Sequence, residues 1–361
     1  MLVSLVAQSL TLPVTLAQWG EGHSVLLPAK HSTFADSVDK PFWFIFWVSL
    51  VFFAIIVSCA VGFVVAYRRT PSNPVATSNV THNTPIELAW SILPGFLLVI
   101  MFWWGFKGFI NMRVMPEDAY TINVEAQQWN WSFTYPNGFS TDTLHVPADT
   151  NVKLVMGSVD VLHAMYIPDF RAKQDVVPGR YSYLWFNAPN PGEHMLFCAE
   201  YCGKDHSNMT KTVVVHAKED FPTWLANADP LSKLTEEMQA EWLAKPKEFI
   251  DAHPELVGLL PPAGMGEVLY KRKGCSSCHN VDGTTNQGPA WNGIWGDKSH
   301  TVLVGGAPQT VTVDENYIRE SILDPGAKIR EGFQNNMTSY QGRMKPAELI
   351  ALIEYIKTLK E

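Results

Sequence analysis

The sequence predicts a multi-domain membrane protein: a two-helix transmembrane hairpin, then an all-β sandwich, then an all-α C-terminal domain. Three observations carry this reading. Residues 41–67 and 88–106 run for 27 and 19 positions without a charge, and a bilayer-spanning helix needs roughly 20 apolar residues. From 119 to 216, short β-type runs alternate with Pro, Gly and Asn turns, the pattern of a sandwich or barrel. From 263 onward the chain is helix and loop. It closes on Leu349, Ile350, Leu352, Ile353 and Ile356, an apolar stripe at helical spacing.

A length of 361 residues suits two or three domains. Residues 1–40 form an N-terminal exported segment. Its first 18 residues are apolar but lack a Lys or Arg n-region, and Thr15-Leu16-Ala17 offers a small-residue cleavage signature, so a signal peptide over 1–17 is one reading. The hairpin occupies 41–114, with helices over about 42–66 and 86–109. Pro94 falls inside the second, which a bilayer helix tolerates when neighbours satisfy the freed carbonyl. Trp103 and Trp104 lie at its end, where aromatic belts form. The short loop 68–83 carries Arg68 and Arg69 and no acid, which puts it in the cytoplasm and the remaining chain outside. The sandwich follows over 115–218. Residues 219–262 are polar and Pro-punctuated, a linker with a helical stretch around 234–243, and 263–361 is the last domain.

Composition narrows the function classes. Lys plus Arg is 27 against 35 Asp plus Glu, a net charge of −8, which argues against a nucleic-acid binder. Aromatic residues at 12% and 13 Trp exclude a disordered chain. Of five cysteines, Cys59 lies in the first apolar run, and the others form two close pairs, each with a histidine nearby. Extracellular disulfide frameworks belong to short, Cys-dense chains, so metal or cofactor attachment is the better reading.

The first pair sits in Cys198-Ala-Glu-Tyr-Cys202-Gly-Lys-Asp-His206-Ser-Asn-Met209. Two thiolates, an imidazole and a thioether within one short loop select copper, and a weak axial Met helps set the potential of copper electron-transfer sites. Zinc is the competing metal but has little use for Met. Two Cys four apart can bridge two metals that share one electron. A second imidazole must then come from elsewhere, and His163 at the end of a β-type run is the candidate. The second pair, Cys275-Ser-Ser-Cys278-His279, is a haem-attachment motif: two thioethers anchor the porphyrin and the imidazole is the proximal ligand. Met/His ligation raises the potential of such a haem. Met337 and Met344 are the candidates for the other axial position, and Met344 lies close enough to the final helix for a packing role.

The Cys-x-Glu-x-Cys-x-x-x-His-x-x-Met loop, with His163 upstream and a helical hairpin before it, resembles subunit II of haem–copper cytochrome c oxidases over about residues 39–216. The resemblance implies that 115–218 is a cupredoxin-like domain holding a binuclear copper A centre. Cys198 and Cys202 bridge the coppers, His163 and His206 terminate them, Met209 is a weak ligand and Glu200 supplies its backbone carbonyl. It further implies that the Glu200 side chain meets a Mg²⁺ at the boundary with subunit I. Gln128-Trp129-Asn-Trp131 resembles the family's aromatic stretch, which implies that Trp129 is the electron-receiving residue; read from the residues alone, either Trp could simply be core. Glu87 resembles a Glu at the mouth of a proton pathway; an acid at a helix N-terminus is also expected from the macrodipole alone.

The C-terminal motif, with a helical domain around it, resembles a class I cytochrome c. Its surroundings favour Met337: Gly332-Phe333 and Tyr340 fit the family pattern, while Thr338 stands where Pro usually follows the ligand. The whole chain thus resembles subunit II of a caa-type oxidase, with a cytochrome c fused behind the copper domain. That resemblance implies a route from donor to covalent haem c, to copper A, to subunit I, where dioxygen is reduced. The expected partners are subunit I, other membrane subunits and a donor that is a cytochrome c, a cupredoxin or a respiratory complex. The expected location is a bacterial cytoplasmic membrane, crossed twice, with both redox domains on the outer side. A nitric-oxide reductase subunit with copper A is the related alternative. A copper storage or delivery protein is the distant one, with no evident use for a haem.

Overall fold

The computed structural model describes residues 26–359 apart from 73, 76, 77 and 79. The cleavage signature at 15–17 lies outside the described residues. The helices α1 (Ala35–Tyr67) and α2 (Thr84–Arg113) have 33 and 30 residues, and neither apolar window contains a buried residue. A core helix of a soluble protein would be mostly buried, so lipid is the fitting surrounding for both helices. Phe44 meets Trp104 edge-on between the two helices, with centroids 5.2 Å apart.

Both helices start earlier than the apolar runs suggest, because polar groups build their first turns. α1 begins ahead of Pro41, and its buried Asp39 receives Nε and Nη2 of Arg171 at 2.8 and 3.0 Å. The same Nη2 donates to the Pro28 carbonyl at 2.7 Å, and Ser32 Oγ donates to the Phe170 carbonyl at 2.7 Å. α2 starts on a reciprocal cap. Asn83 Oδ1 accepts the Ile86 N–H at 3.3 Å, and the Asn83 N–H donates to Glu87 Oε1 at 2.8 Å.

In the second compact unit, ten strands form two five-stranded sheets. The first orders β3 (Ser140–Thr141), β2 (Asn130–Thr134), β1 (Tyr120–Gln127), β5 (Asn151–Ser158) and β8 (Ser182–Asn187). The second orders β4 (Leu144–Pro147), β10 (Thr210–His216), β9 (Gly192–Cys198), β6 (His163–Ile167) and β7 (Ala172–Val176). Two neighbouring pairs, β1 with β5 and β4 with β10, are parallel; the other pairings are antiparallel. Alternation places Ile122, Val124 and Ala126 of β1 in the core with Val152, Leu154 and Met156 of β5.

Residues 219–262, expected as a linker, are folded. They carry α3 (Phe221–Asn227), α4 (Glu236–Ala244) and α5 (Pro246–Ala252). Leu231, Leu234, Trp242, Phe249, Leu256 and Leu259 join one buried cluster with the C-terminal domain. That domain is built on α6 (Pro262–Arg272), α7 (Glu315–Leu323) and α8 (Pro346–Thr358). It also holds a small sheet that sequence periodicity did not reveal. There, β11 (His300–Val304) pairs with β12 (Ala307–Val311) across Gly305-Gly306, and also with β13 (Ile329–Arg330).

Candidate metal centre

Strand register brings the first donor set together. β6 and β9 pair Met165 with Cys198, and the Ala199 N–H donates to the Ala164 carbonyl at 2.9 Å, so His163 ends beside Cys198. The loop from Cys198 to Met209 is closed at its base by the Cys198 N–H on the Met209 carbonyl, 3.2 Å. A short helical turn over His206–Asn208 aims His206 back at the sulfurs. The resulting distances are Cys198 Sγ to Cys202 Sγ 3.8 Å, Cys198 Sγ to His163 Nδ1 3.8 Å and Cys202 Sγ to His206 Nδ1 3.4 Å. Met209 Sδ is 3.8 Å from Cys202 Sγ, and the Glu200 carbonyl is 3.3 Å from Cys198 Sγ. His163, Cys198, Cys202 and Met209 are buried and His206 is half-buried.

These groups share protons that a metal cation would displace on binding. Burial pulls His163 down, but Asp160 Oδ1 at 2.9 Å from Nε2 and the nearby Cys198 push it up to about 9. Burial works against the Cys198 thiolate, yet His163 and the Ala164 N–H hold that thiol below its usual range. Cys202 is pushed up by burial and by the Cys198 charge. A metal cation would relieve that like-charge conflict. The fit is chemical as well: a metal bound at about 2.3 Å from sulfur can span two sulfurs 3.8 Å apart. A single tetrahedral zinc uses four donors, whereas six stand here, including the thioether and a carbonyl. The Glu200 carboxylate joins no cluster of three metal-ligating groups among the described residues.

Two neighbours of this set were not singled out from sequence. Asp160 fixes the His163 ring, and a carboxylate three residues before a candidate ligand was the available signal. Gln128 Nε2 donates to the Cys202 carbonyl at 2.7 Å, a contact with no sequence signature. Trp129 is half-buried beside the loop, and Trp131 is fully buried in the core. Glu87 sits in the α2 cap described above.

The second site surrounds the turn Cys275–Ser277. Cys275, Cys278, His279, Met337 and Met344 all line one cavity. His279 Nδ1 lies 2.8 Å from the Pro289 carbonyl, which can only accept, so Nδ1 carries the proton and Nε2 keeps its lone pair. Burial lowers the His279 pKa and keeps the ring neutral, the form a metal ligand requires. Tyr270 hydroxyl donates to the His279 carbonyl, and Trp291 packs on the ring at 5.2 Å. Only glycine fits at position 288: a Cβ would lie 2.6 Å from the imidazole.

Comparison with known proteins agrees with this arrangement. Three family models match: the transmembrane domain of cytochrome c oxidase subunit II over residues 26–107, its periplasmic domain over 139–217, and cytochrome c over 264–360. Cytochrome c oxidase subunit 2 of Alkalihalophilus pseudofirmus is 30% identical over 324 residues, covering 87% of this chain and 83% of the relative. The chain belongs to the cytochrome c oxidase subunit II family. The subunit 2 of a Synechocystis strain is 26% identical over 67% of this chain and 88% of its own length. Among solved structures, the periplasmic domain of subunit II from Bradyrhizobium japonicum is 30% identical, covering 32% of this chain and 97% of that one, at a TM-score of 0.31. As a family member the chain is a subunit of a haem–copper terminal oxidase, with a membrane hairpin, a copper-domain sandwich and a cytochrome c domain.

Proposed function

We propose that this subunit conducts electrons from an external donor, through its cytochrome c domain and then its copper domain, to subunit I. When bound, the binuclear copper and the covalent haem supply one-electron transfer without atom transfer. Cys198 and Cys202 would bridge the coppers, His163 and His206 would terminate them, and Met209 and the Glu200 carbonyl would complete the set. Cys275 and Cys278 would anchor the haem, with His279 and Met337 as axial ligands. The observation carrying this reading is the convergence of six donors around two sulfurs 3.8 Å apart.

This chain's residues hold those ligands rigid. Asp160 orients His163, the Pro289 carbonyl orients His279, and burial excludes water from Met209 and His163. Little reorganisation is then needed when charge changes. The Glu200 carboxylate is proposed to meet Mg²⁺ at the subunit I boundary, and Glu87 to lie at a proton-pathway mouth, both by family resemblance. Arg68 and Arg69 in the loop between the helices support a cytoplasmic hairpin turn, with both redox domains outside a bacterial cytoplasmic membrane.

Cys202→Ser in the purified oxidase tests the route. The variant is expected to keep its haem c spectrum and to accept electrons from the donor at that haem, but to lose copper and electron flow to dioxygen. Undiminished flow would refute a route that runs from haem through copper.

A further inference from the structure

A buried histidine stands behind the wall of the haem cavity. His300 opens β11 and is 4% exposed. Its Nδ1 faces Asp297 Oδ2 at 3.5 Å, and its Nε2 lies 3.0 Å from the Tyr317 hydroxyl of α7. Asp297 is 30% exposed. Its Oδ1 accepts the Ser299 hydroxyl at 2.7 Å and the Ser299 N–H at 2.8 Å, and these bonds hold the carboxyl below its ordinary range. An ionised carboxylate only accepts, so the neutral His300 ring carries its proton on Nδ1 and receives the Tyr317 hydroxyl on Nε2. Tyr317 lines the cavity that also holds Cys275, His279 and Met337. The three side chains thus run in file from solvent to the cavity.

Charges on several elements face this file. Burial holds His300 below the ordinary histidine range; Arg330 of β13 adds to that, and Asp297 opposes it. Arg330 also lines the cavity, and its Nη1 donates to the Thr301 carbonyl at 2.9 Å. Paired β12 carries no titratable residue. Burial raises Tyr317 against the pull of Arg330 and Lys328, with Glu320 helping, so the hydroxyl keeps its proton.

We propose that His300 is a redox-linked protonation site: it takes one proton from solvent when the ferric haem gains one electron from the donor, and releases it when the electron leaves. This inference rests on the proposed haem. Asp297 stabilises the imidazolium, and Tyr317 is a positioning residue that carries its effect to the cavity. Once Nε2 is protonated it donates to the Tyr317 oxygen. The hydroxyl hydrogen then turns toward the cavity, where Ser321 lies one helical turn on along the same wall. Linkage makes the coupling reciprocal, so the proton raises the haem's electron affinity by the factor by which the electron raises that of His300 for a proton. The factor expected is about tenfold, which for one electron is about 59 mV.

The test is a redox titration of the haem c α-band in the whole purified oxidase between about pH 5 and 8, on the parent, His300→Gln and Tyr317→Phe. In the parent the potential should be flat near pH 8 and rise in total by about 59 mV as pH falls through a window below about 6.5, the ordinary histidine value. His300→Gln should abolish the rise, and Tyr317→Phe should shrink it, both with an unchanged haem spectrum. A flat parent would overturn the proposal, as would an undiminished rise in His300→Gln. Should that variant not assemble, a rise in Tyr317→Phe as large as the parent's would overturn the coupling through the hydroxyl. A parent with no covalent haem c band would instead refute the cofactor reading, which the spectrum reports before any titration.

Discussion

Replacing Asp160 by Asn probes the support of the copper loop without touching a ligand. Asp160 Oδ1 lies 2.9 Å from His163 Nε2 and accepts the Val161 N–H at 2.6 Å; Oδ2 accepts the Gln128 N–H at 2.6 Å. Burial alone would raise this carboxyl, but His163 and the two backbone N–H groups hold it below the ordinary carboxylate range. An Asn amide keeps one acceptor and turns a donor toward one of these N–H groups. Losing one charge-assisted bond and facing donor to donor costs about 1.5–3 kcal/mol, of the same order as the roughly 10- to 100-fold in metal affinity typical of such supporting carboxylates. The assay is a chelator competition on the purified oxidase, following the copper absorption. Copper should be released at a chelator concentration about ten or more times lower than in the parent, while haem c is unaffected. Equal retention in both proteins would refute the orienting role.

Three further outcomes follow from the same contacts. Met337→Leu should lower the haem c potential, because Met/His ligation raises it, whereas Met344→Leu should leave it unchanged; redox titration of the α-band distinguishes the two. Asp39→Ala removes a buried carboxylate that accepts Arg171 Nε at 2.8 Å, and the expected result is a lower unfolding temperature of the subunit in detergent. His145 and His216 stack with Trp224, their rings joined by a 2.8 Å nitrogen contact, and burial depresses both, His145 to about 4. The unfolded chain therefore binds more protons between about pH 4 and 6.5, and stability falls as pH drops through that window. The loss, on the order of 2 kcal/mol after allowance for partial exposure, should be smaller in His145→Gln by calorimetry.

The hairpin was legible because nothing but a bilayer accounts for 27 uncharged residues in succession. Its true start at Ala35 was not, because it depends on Asp39 meeting Arg171, 132 residues away. The loop from Cys198 to Met209 was readable since its donors are close in sequence, and the backbone closes it locally. His163 reaches it through strand register, which no local pattern encodes. Residues 219–262 looked like a linker because α3 and α5 have seven residues each, too short for periodicity to emerge around Pro222 and Pro246. Their burial becomes visible only once the C-terminal core is assembled. The hairpin at Gly305-Gly306 carried a turn signal, but its strands were masked by the helical character of the surrounding domain.

This chain is proposed to carry a two-copper centre and a covalent haem. Metal and haem content per subunit in the purified oxidase, measured with the copper EPR spectrum, tests it most directly. Two coppers, one covalent haem c and a hyperfine pattern of one electron shared by two copper nuclei are predicted. One copper, or zinc in its stead, with a single-nucleus signal or none, would contradict the account.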